Sequence, residues 1–293
     1  MSDVLPRVSV VVPAYNEAAH VLDCVAALKA QTYPRELLEI VVIDNGSSDG
    51  TFELLQAQTE IVTAQERTPG SYAARNRGLE LARGDVMAFT DADCMPDMNW
   101  VKNAVAHLRA GVGIVAGHVG LEEHPGPLTT SELFERCFAF KQAENARLGL
   151  CVTANWFSPR AVLDEVGGFD GLLLSGGDHE LSRAIAARGY RVVYARDASV
   201  RHPARKHFAD LMRKRRRVVG GAFTAKCKRA GKPFPLFMAS LVKETLERLY
   251  TTAGHADLEP SERVRVAGLL LVMCGVSLLE AARLELGSEA LRE

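Results

Sequence analysis

The first hundred residues alternate between two hydrophobic periods, and that alternation limits the fold more than any other feature of the chain. β-rich runs occupy residues 7–12 (RVSVVV), 37–44 (LLEIVVID), 60–66 (EIVTAQE) and 85–93 (DVMAFTDAD). Between them, residues 17–31, the segment opening at Ser48 and residues 71–84 set apolar side chains at helical spacing. Ser or Asp caps the second of these helices, Pro13 stops the first strand and Gly84 closes the third helix. A near-continuous apolar run such as 37–44 belongs to a strand covered on both faces. The pattern predicts an α/β fold, a parallel sheet joined by right-handed helical crossovers.

Open parallel sheets bind ligands beyond the carboxyl ends of their strands. Here those ends read PAYNE, DNGSSDG, TPGS and DADCMPD, and three of the four carry acids. Asp91 and Asp93 are spaced i, i+2 at the end of the fourth run, so as strand residues they point the same way. Two like charges held side by side repel unless a cation lies between them. Carboxylate oxygens suit Mg²⁺ or Mn²⁺, which often bridge protein acids and substrate phosphates. The D-x-D spacing alone is weak, and a turn or cap acid pair is the competing reading; its place among other acidic strand ends gives it weight.

A formal net charge of −1 supplies no global field toward nucleic acid, which is not an expected partner, or toward membrane. Six cysteines without metal-ligand spacing read as reduced thiols in a cytoplasmic protein. The N-terminus has no basic leader before its short apolar run and reads as a first strand. Farther on, 112–121 reads as a strand, 153–170 as strand, turn and short helix, 176–189 as a helix, and 190–202 as a strand ending at His202. Beyond residue 205 the pattern turns helical, so the chain divides into an α/β domain over 1–203 and a helical C-terminal region over 204–293.

At this point the segments VSVVVPAYNE, EIVVIDNGSSDGT, AARNRGLELARGDVMAFTDADC, VGGFD and GGDHEL, followed by RGYRVVY and VRH, resemble in order and spacing those of the family 2 glycosyltransferases. The resemblance covers about residues 7–203 and implies the GT-A fold, a Rossmann-like, mostly parallel sheet flanked by helices. It implies a nucleotide-sugar donor carrying UDP or GDP, and Mn²⁺ or Mg²⁺ as cofactor. By position, Pro13, Ala14, Tyr15 and Glu17 would line the base and ribose pocket, and Asp44 would accept hydrogen bonds from base or ribose, as an acceptor-only carboxylate can. Arg75 would meet base or phosphate, against a solvated helix face as the plain reading. Asp91 and Ala92 would meet the donor, Asp93 would bind the metal with Asp91, and His202 would complete the metal site.

The resembled acceptor-side motif E-D-x-D/E-L appears here as Gly177-Asp178-His179-Glu180-Leu181. The resemblance makes Asp178 the general base, with Glu180 in reserve, while Gly177 departs from the usual Glu. An inverting direct displacement follows; a retaining enzyme, a sugar nucleotidyltransferase and a non-catalytic sugar-nucleotide-binding module are the rivals. The acceptor is a sugar, a lipid-linked compound or a small molecule. In the C-terminal region, Arg213-Lys214-Arg215-Arg216-Arg217 reads as a solvated basic face or a contact for diphosphate or anionic lipid, with Arg215 nearest the apolar side. Gly220 and Gly221 resemble a flexible donor-covering segment. The uncharged stretch 266–279 is shorter than the ~20 residues of a span and reads as a buried or interfacial helix. Together these permit peripheral attachment to the cytoplasmic membrane face, or a homo-oligomer.

Overall fold

The computed structural model describes residues 5–122 and 126–291. The chain divides into two compact units: the first runs through residue 121 and takes in Phe140–Leu173 and Gly177–Pro203, and the second comprises Glu122–Ala139, Leu174–Gly176 and the chain from Ala204 on. A single cut after 203 would leave residues 122–139 with the first unit; by contacts they belong with the helices.

The first unit is an eight-stranded sheet. Its strands are β1 (Val8–Ala14), β2 (Leu38–Asp44), β3 (Val62–Gln65), β4 (Val86–Phe89), β5 (Met95–Pro96), β6 (Val112–Glu122), β7 (Trp156–Pro159) and β8 (Arg191–Pro203), in the order β3-β2-β1-β4-β7-β6-β8-β5. The β3-β2-β1-β4 part is parallel, β7 runs antiparallel to both β4 and β6, and β5 is antiparallel to β8. Its helices are α1 (Val21–Lys29), α2 (Thr51–Gln56), α3 (Ser71–Leu81), α4 (Trp100–His107), α6 (Gln142–Arg147), α7 (Arg160–Val166) and α8 (Gly177–Ala187), α5 belonging to the other unit. Alternate β1 residues face opposite cores: Val8, Val10 and Val12 pack with Val21, Val25, Leu28 and Trp100, while Val11 packs with Ala74, Phe89 and Trp156. Both faces are covered, as the apolar runs require.

Two boundaries move from their sequence-based positions for identifiable reasons. Pro13 lies inside β1, paired with Ile43. Ala14 O accepts from Asn45 N on the β2 side, so the missing Pro13 N–H falls on the β4 side, where pairing already stops at Val11 and Phe89. Helix α1 begins at Val21 rather than 17, because the N–H groups of Asn16, Glu17 and Ala18 donate to the side chains of Ser47, Thr51 and Asp49. That lacing ties the loop after β1 to the loop after β2.

The second unit packs α5 (Thr130–Phe138), α9 (Phe208–Phe223), α10 (Phe234–Ala253) and α11 (Pro260–Glu285), with a π-helical turn over Thr224–Arg229. Leu133 and Phe134 meet Leu211, Met212, Val266, Leu270 and Met273 in one core; Val219, Phe223, Phe237, Leu241 and Leu284 form another. Helix α5 opens with a capping box between Thr129 and Glu132.

Within the basic run only Arg213 is exposed, and Arg215 is buried. Lys214 donates to Glu135, Arg215 grips Glu244 and Ser277, Arg216 meets Glu280, Arg213 pairs with Asp210, and Arg217 donates to Leu174 O. Apart from Asp210, its acidic partners lie far off in sequence, out of reach of local reading. Gly220 and Gly221 lie within α9 rather than in a loop, and a Cβ on Gly221 would stand 2.7 Å from Ser175 O. The uncharged stretch extends into a 26-residue helix that is long and apolar enough, by length and composition, to cross a membrane. One side of it is occupied by the core just described.

Candidate active site

The parallel strands deliver their C-terminal loops to one edge of the first unit. Ala14 and Asp44 are register partners at the ends of β1 and β2. Tyr15 and Pro13 are half-buried beside them. Asp44 is fully buried, and its carboxylate accepts from the N–H groups of Gly46 and Ser47 and from Gln65 Nε2 at 3.1–3.3 Å. Much of its acceptor capacity therefore shapes the loop after β2. Asn45, which sequence reasoning passed over, ties the loop after β2 to the loop after β3: Nδ2 donates to Glu66 O and Thr68 O, and Oδ1 accepts from Gly70 N at 2.8 Å.

The aspartate pair comes together by a different route from strand alternation. Strand β4 ends at Phe89, and Asp91-Ala92-Asp93-Cys94 form a turn closed by Cys94 N donating to Asp91 O at 3.0 Å. Ala92 is buried in that turn. Ligand atoms of Asp91, Asp93 and Cys94 lie within 4.8 Å of one another. Burial, with Asp91 and Asp93 nearby, pushes the Cys94 thiol well above its usual range, so it stays protonated and is a poor partner for a hard cation.

Three groups surround the turn. Arg75, on α3, is only 3% exposed and reaches Asp91 Oδ1 at 2.5 Å, so it does not lie on a solvated helix face. Its Nε is buried without a partner. His202, near the end of β8 and also 3% exposed, brings Nε2 to 3.2 Å from Asp93 Oδ2. Its Nδ1 lies 2.7 Å from Pro203 O, which can only accept, so the proton sits on Nδ1. Nε2 and the carboxylate oxygen therefore face each other, an arrangement satisfied by a cation between them or by a proton on Nε2. The third group is Glu17, hydrogen-bonded to His20 at 2.9 Å. Burial and the Asp93 charge push Glu17 up to about 7, with Asp91 adding and His20 opposing. The donor set of Asp91, Asp93 and His202 fits a divalent cation in both charge and ligand type.

Asp178 stands in the first turn of α8, half-buried, with Oδ1 accepting from His179 N at 2.9 Å and lying 3.3 Å from the Tyr72 hydroxyl. Glu180 is two residues on, about 200° around the helix, and does not share that face. The departure at Gly177 has a local cause. A Cβ there would stand 2.9 Å from the Tyr72 ring. That ring stacks on Phe169 with centroids 5.5 Å apart, and the Arg75 guanidinium carbon lies 5.6 Å from its centroid. Asp178, Tyr72, Arg75 and Asp91 thereby form one contact chain from the helix start to the aspartate turn.

This sheet and its flanking helices are the GT-A architecture, the fold of one large class of glycosyltransferases. Within that class the chain belongs to glycosyl transferase family 2, whose sequence model matches residues 9–167, more than half of it. It is 36% identical over 229 residues to glycosyltransferase AglE of Haloferax volcanii, covering 75% of this chain and 74% of AglE. It is 26% identical over 242 residues to the pre-mycofactocin glycosyltransferase of Mycobacterium tuberculosis, covering 79% of this chain and 50% of that protein. Among solved structures, the mannosyltransferase PcManGT from Pyrobaculum calidifontis, in complex with GDP-Man and Mn²⁺, superposes with a TM-score of 0.61 at 23% identity, covering 97% of this chain and 88% of that one. Residues 1–349 of Staphylococcus aureus TarS, in complex with UDP-GlcNAc, give 0.57 at 15% identity over 96% and 92% of the two chains. The structural likeness and both sequence matches thus extend past residue 203, beyond the motifs read from the sequence.

Proposed function

We propose that this glycosyltransferase moves a sugar from a UDP- or GDP-sugar to an acceptor hydroxyl with inversion, assisted by Mn²⁺ or Mg²⁺. The observation that carries the reading is the meeting of Asp93 and His202, from the turn after β4 and the end of β8, with His202 Nε2 3.2 Å from Asp93 Oδ2. Structural neighbours captured with GDP-Man and Mn²⁺ and with UDP-GlcNAc support it. Asp91, Asp93 and His202 would hold the ion, which as a Lewis acid would neutralise charge on the diphosphate. Pro13, Ala14, Tyr15, Glu17 and Asp44 would face base and ribose, and Arg75 and the Ala92 backbone would flank the donor.

Asp178 is the base in this reading. Its carboxylate takes the proton of the acceptor hydroxyl as that oxygen bonds to the anomeric carbon. The bond from that carbon to the diphosphate oxygen breaks, and its electron pair leaves with the nucleoside diphosphate. No covalent sugar–enzyme bond forms.

The acceptor is a sugar, a small molecule or a lipid-linked compound. Peripheral membrane contact, in this proposal at the cytoplasmic face, no longer rests on the basic run. It rests on exposed apolar side chains of the second unit: Leu236, Leu246 and Tyr250 on α10, and Val264, Leu271 and Leu279 on α11. Flotation with anionic vesicles tests it; a concentration-dependent dimer without flotation assigns the same surface to a homo-oligomer. The central experiment supplies UDP- and GDP-sugars with Mn²⁺ and a panel of acceptors, and reads the product's anomeric configuration by NMR. Inversion supports the mechanism, and retention overturns it.

A further inference from the structure

The Tyr72 hydroxyl belongs to no role assigned so far, yet it lies against the proposed base. Resting on the reading of Asp178 as that base, we propose that Tyr72 is a positioning residue that fixes the Asp178 carboxylate for proton abstraction. Three observations converge on it. The phenol oxygen lies 3.3 Å from Asp178 Oδ1, and Asp178 Oδ1 also accepts from His179 N at 2.9 Å. Two donors thus hold Oδ1, while Oδ2 makes no hydrogen bond among the described residues, so one oxygen is anchored and the other is presented. Hydrogen bonds at catalytic groups are characteristically long before substrate arrives, which suits the 3.3 Å separation.

The phenol is itself held rigidly. Its ring is buried, stacked on Phe169 at 5.5 Å and flanked by the Arg75 guanidinium at 5.6 Å. Gly177, immediately before Asp178, leaves the space the ring occupies, since any Cβ there would meet it at 2.9 Å. A helix start that brings Asp178 to the phenol therefore requires glycine at 177 when tyrosine stands at 72. Because Arg75 also binds Asp91 at 2.5 Å, the ring links the base to the aspartate turn on the donor side. A group that holds one carboxylate oxygen acts on turnover and leaves donor binding alone.

The test is a double-mutant cycle of Tyr72→Phe and Asp178→Asn, with kcat, donor KM and melting temperature measured for each protein. Phenylalanine keeps the ring, its stacking and its contact with Arg75. Tyr72→Phe alone is expected to lower kcat about tenfold, the scale of one hydrogen bond to a charged group, with donor KM and melting temperature unchanged. In the Asp178→Asn background the same change is expected to cost nothing further. Gly177→Ala, which displaces the ring without removing either polar group, should reproduce the loss of kcat. Equal losses in both backgrounds, or a loss confined to donor KM, would mean that Tyr72 acts through packing or donor binding, and would overturn the proposal. Full turnover in Tyr72→Phe beside a crippled Asp178→Asn overturns this inference and leaves the base assignment standing. An active Asp178→Asn overturns the base assignment, and this inference with it.

Discussion

The two units both bury charge, but they settle it in opposite ways. In the second unit two fully buried carboxylates, Glu135 and Glu280, each meet two cations, while Glu132 serves the cap of α5. Glu135 accepts from Arg205 and Lys214, and Glu280 from Arg216 and Arg283. Burial alone would raise Glu135, but Lys214 and Arg205 outweigh it and bring the carboxyl down to about 2. Burial, with Arg205, pushes Lys214 down to about 8 against the pull of Glu135. Both partners shift downward because Glu135 answers two cations, while burial and the neighbouring Arg205 act against the charge on Lys214. In the first unit, Glu17, Asp91 and Asp93 crowd together with Arg75 on Asp91 and His202 on Asp93, and burial with Asp93 drives Glu17 up to about 7. Compensated charge is what a chain needs to hold helices together. Uncompensated charge costs stability and persists where a ligand completes it.

If this contrast is sound, acids in the first unit can be changed with loss of chemistry and little loss of fold, and acids in the second unit the reverse. The largest effect is expected at Asp178. Asp178→Asn keeps size and the Oδ1 acceptor but removes the basic carboxylate, so turnover should fall about 10²–10⁴-fold, the range for a general base. Nucleotide affinity and melting temperature should stay near wild type. A protein that melts early instead would place Asp178 with the structural acids.

The next effect concerns the aspartate turn. Calorimetry should show UDP or GDP binding that weakens with EDTA and in Asp93→Ala. His202→Ala should lower Mn²⁺ affinity by roughly 10–100-fold, the scale for a disturbed metal site, at nearly constant melting temperature. Nucleotide affinity indifferent to both EDTA and Asp93→Ala would remove the metal from the site. A large stability loss in His202→Ala with normal Mn²⁺ binding would make His202 a packing residue beside Phe140, whose ring lies 4.6 Å away.

What the sequence disclosed follows the same division. Strand–helix alternation was legible because each parallel strand is a local apolar run, and the acidic strand ends were legible because fold rules say where ligands sit. The aspartate pair was legible in kind but not in geometry: a turn, not strand alternation, gathers the two carboxylates. Arg75 could not be told from a solvated residue, because what buries it lies across the fold. Gly177 read as a departure from the resembled motif, and its cause, Tyr72, is more than a hundred positions away. The basic run 213–217 misled for the same reason, since Glu135, Glu244 and Glu280 lie on other helices.

Breaking the comparison from the other side calls for Glu135→Gln. It leaves Lys214 and Arg205 without their shared carboxylate, and removing one member of a buried ion pair costs about 3–5 kcal/mol. Melting temperature at pH 7 should fall by roughly 10 °C, taking ~2–4 °C per kcal/mol for a domain of this size. Mn²⁺ and nucleotide affinity, read at a temperature where the variant is folded, should be unchanged. A variant as stable as wild type would mean that the second unit's ion pairs are incidental.

The smallest effect is the sharpest test, because it predicts opposite slopes. Glu135 sits at about 2 in the folded protein against an ordinary 4.5, so it contributes stability above the ordinary value that is lost as pH falls toward 2. Glu17 is raised to about 7 from 4.5, so the folded state holds its proton more tightly than the unfolded chain does. Its contribution is fully present below pH 4.5 and lost as pH rises through 7, where a third negative charge joins Asp91 and Asp93. Glutamine mimics the protonated form at every pH. In metal-free protein, Glu17→Gln should therefore melt with wild type near pH 5 and a few degrees above it near pH 8. Added Mn²⁺ should shrink the pH 8 difference, because the cation neutralises the cluster that the extra charge opposes. A Glu17→Gln protein less stable than wild type at pH 8 without metal would show that Glu17 is compensated as Glu135 is, and the contrast between the two units would fail at its most charged point.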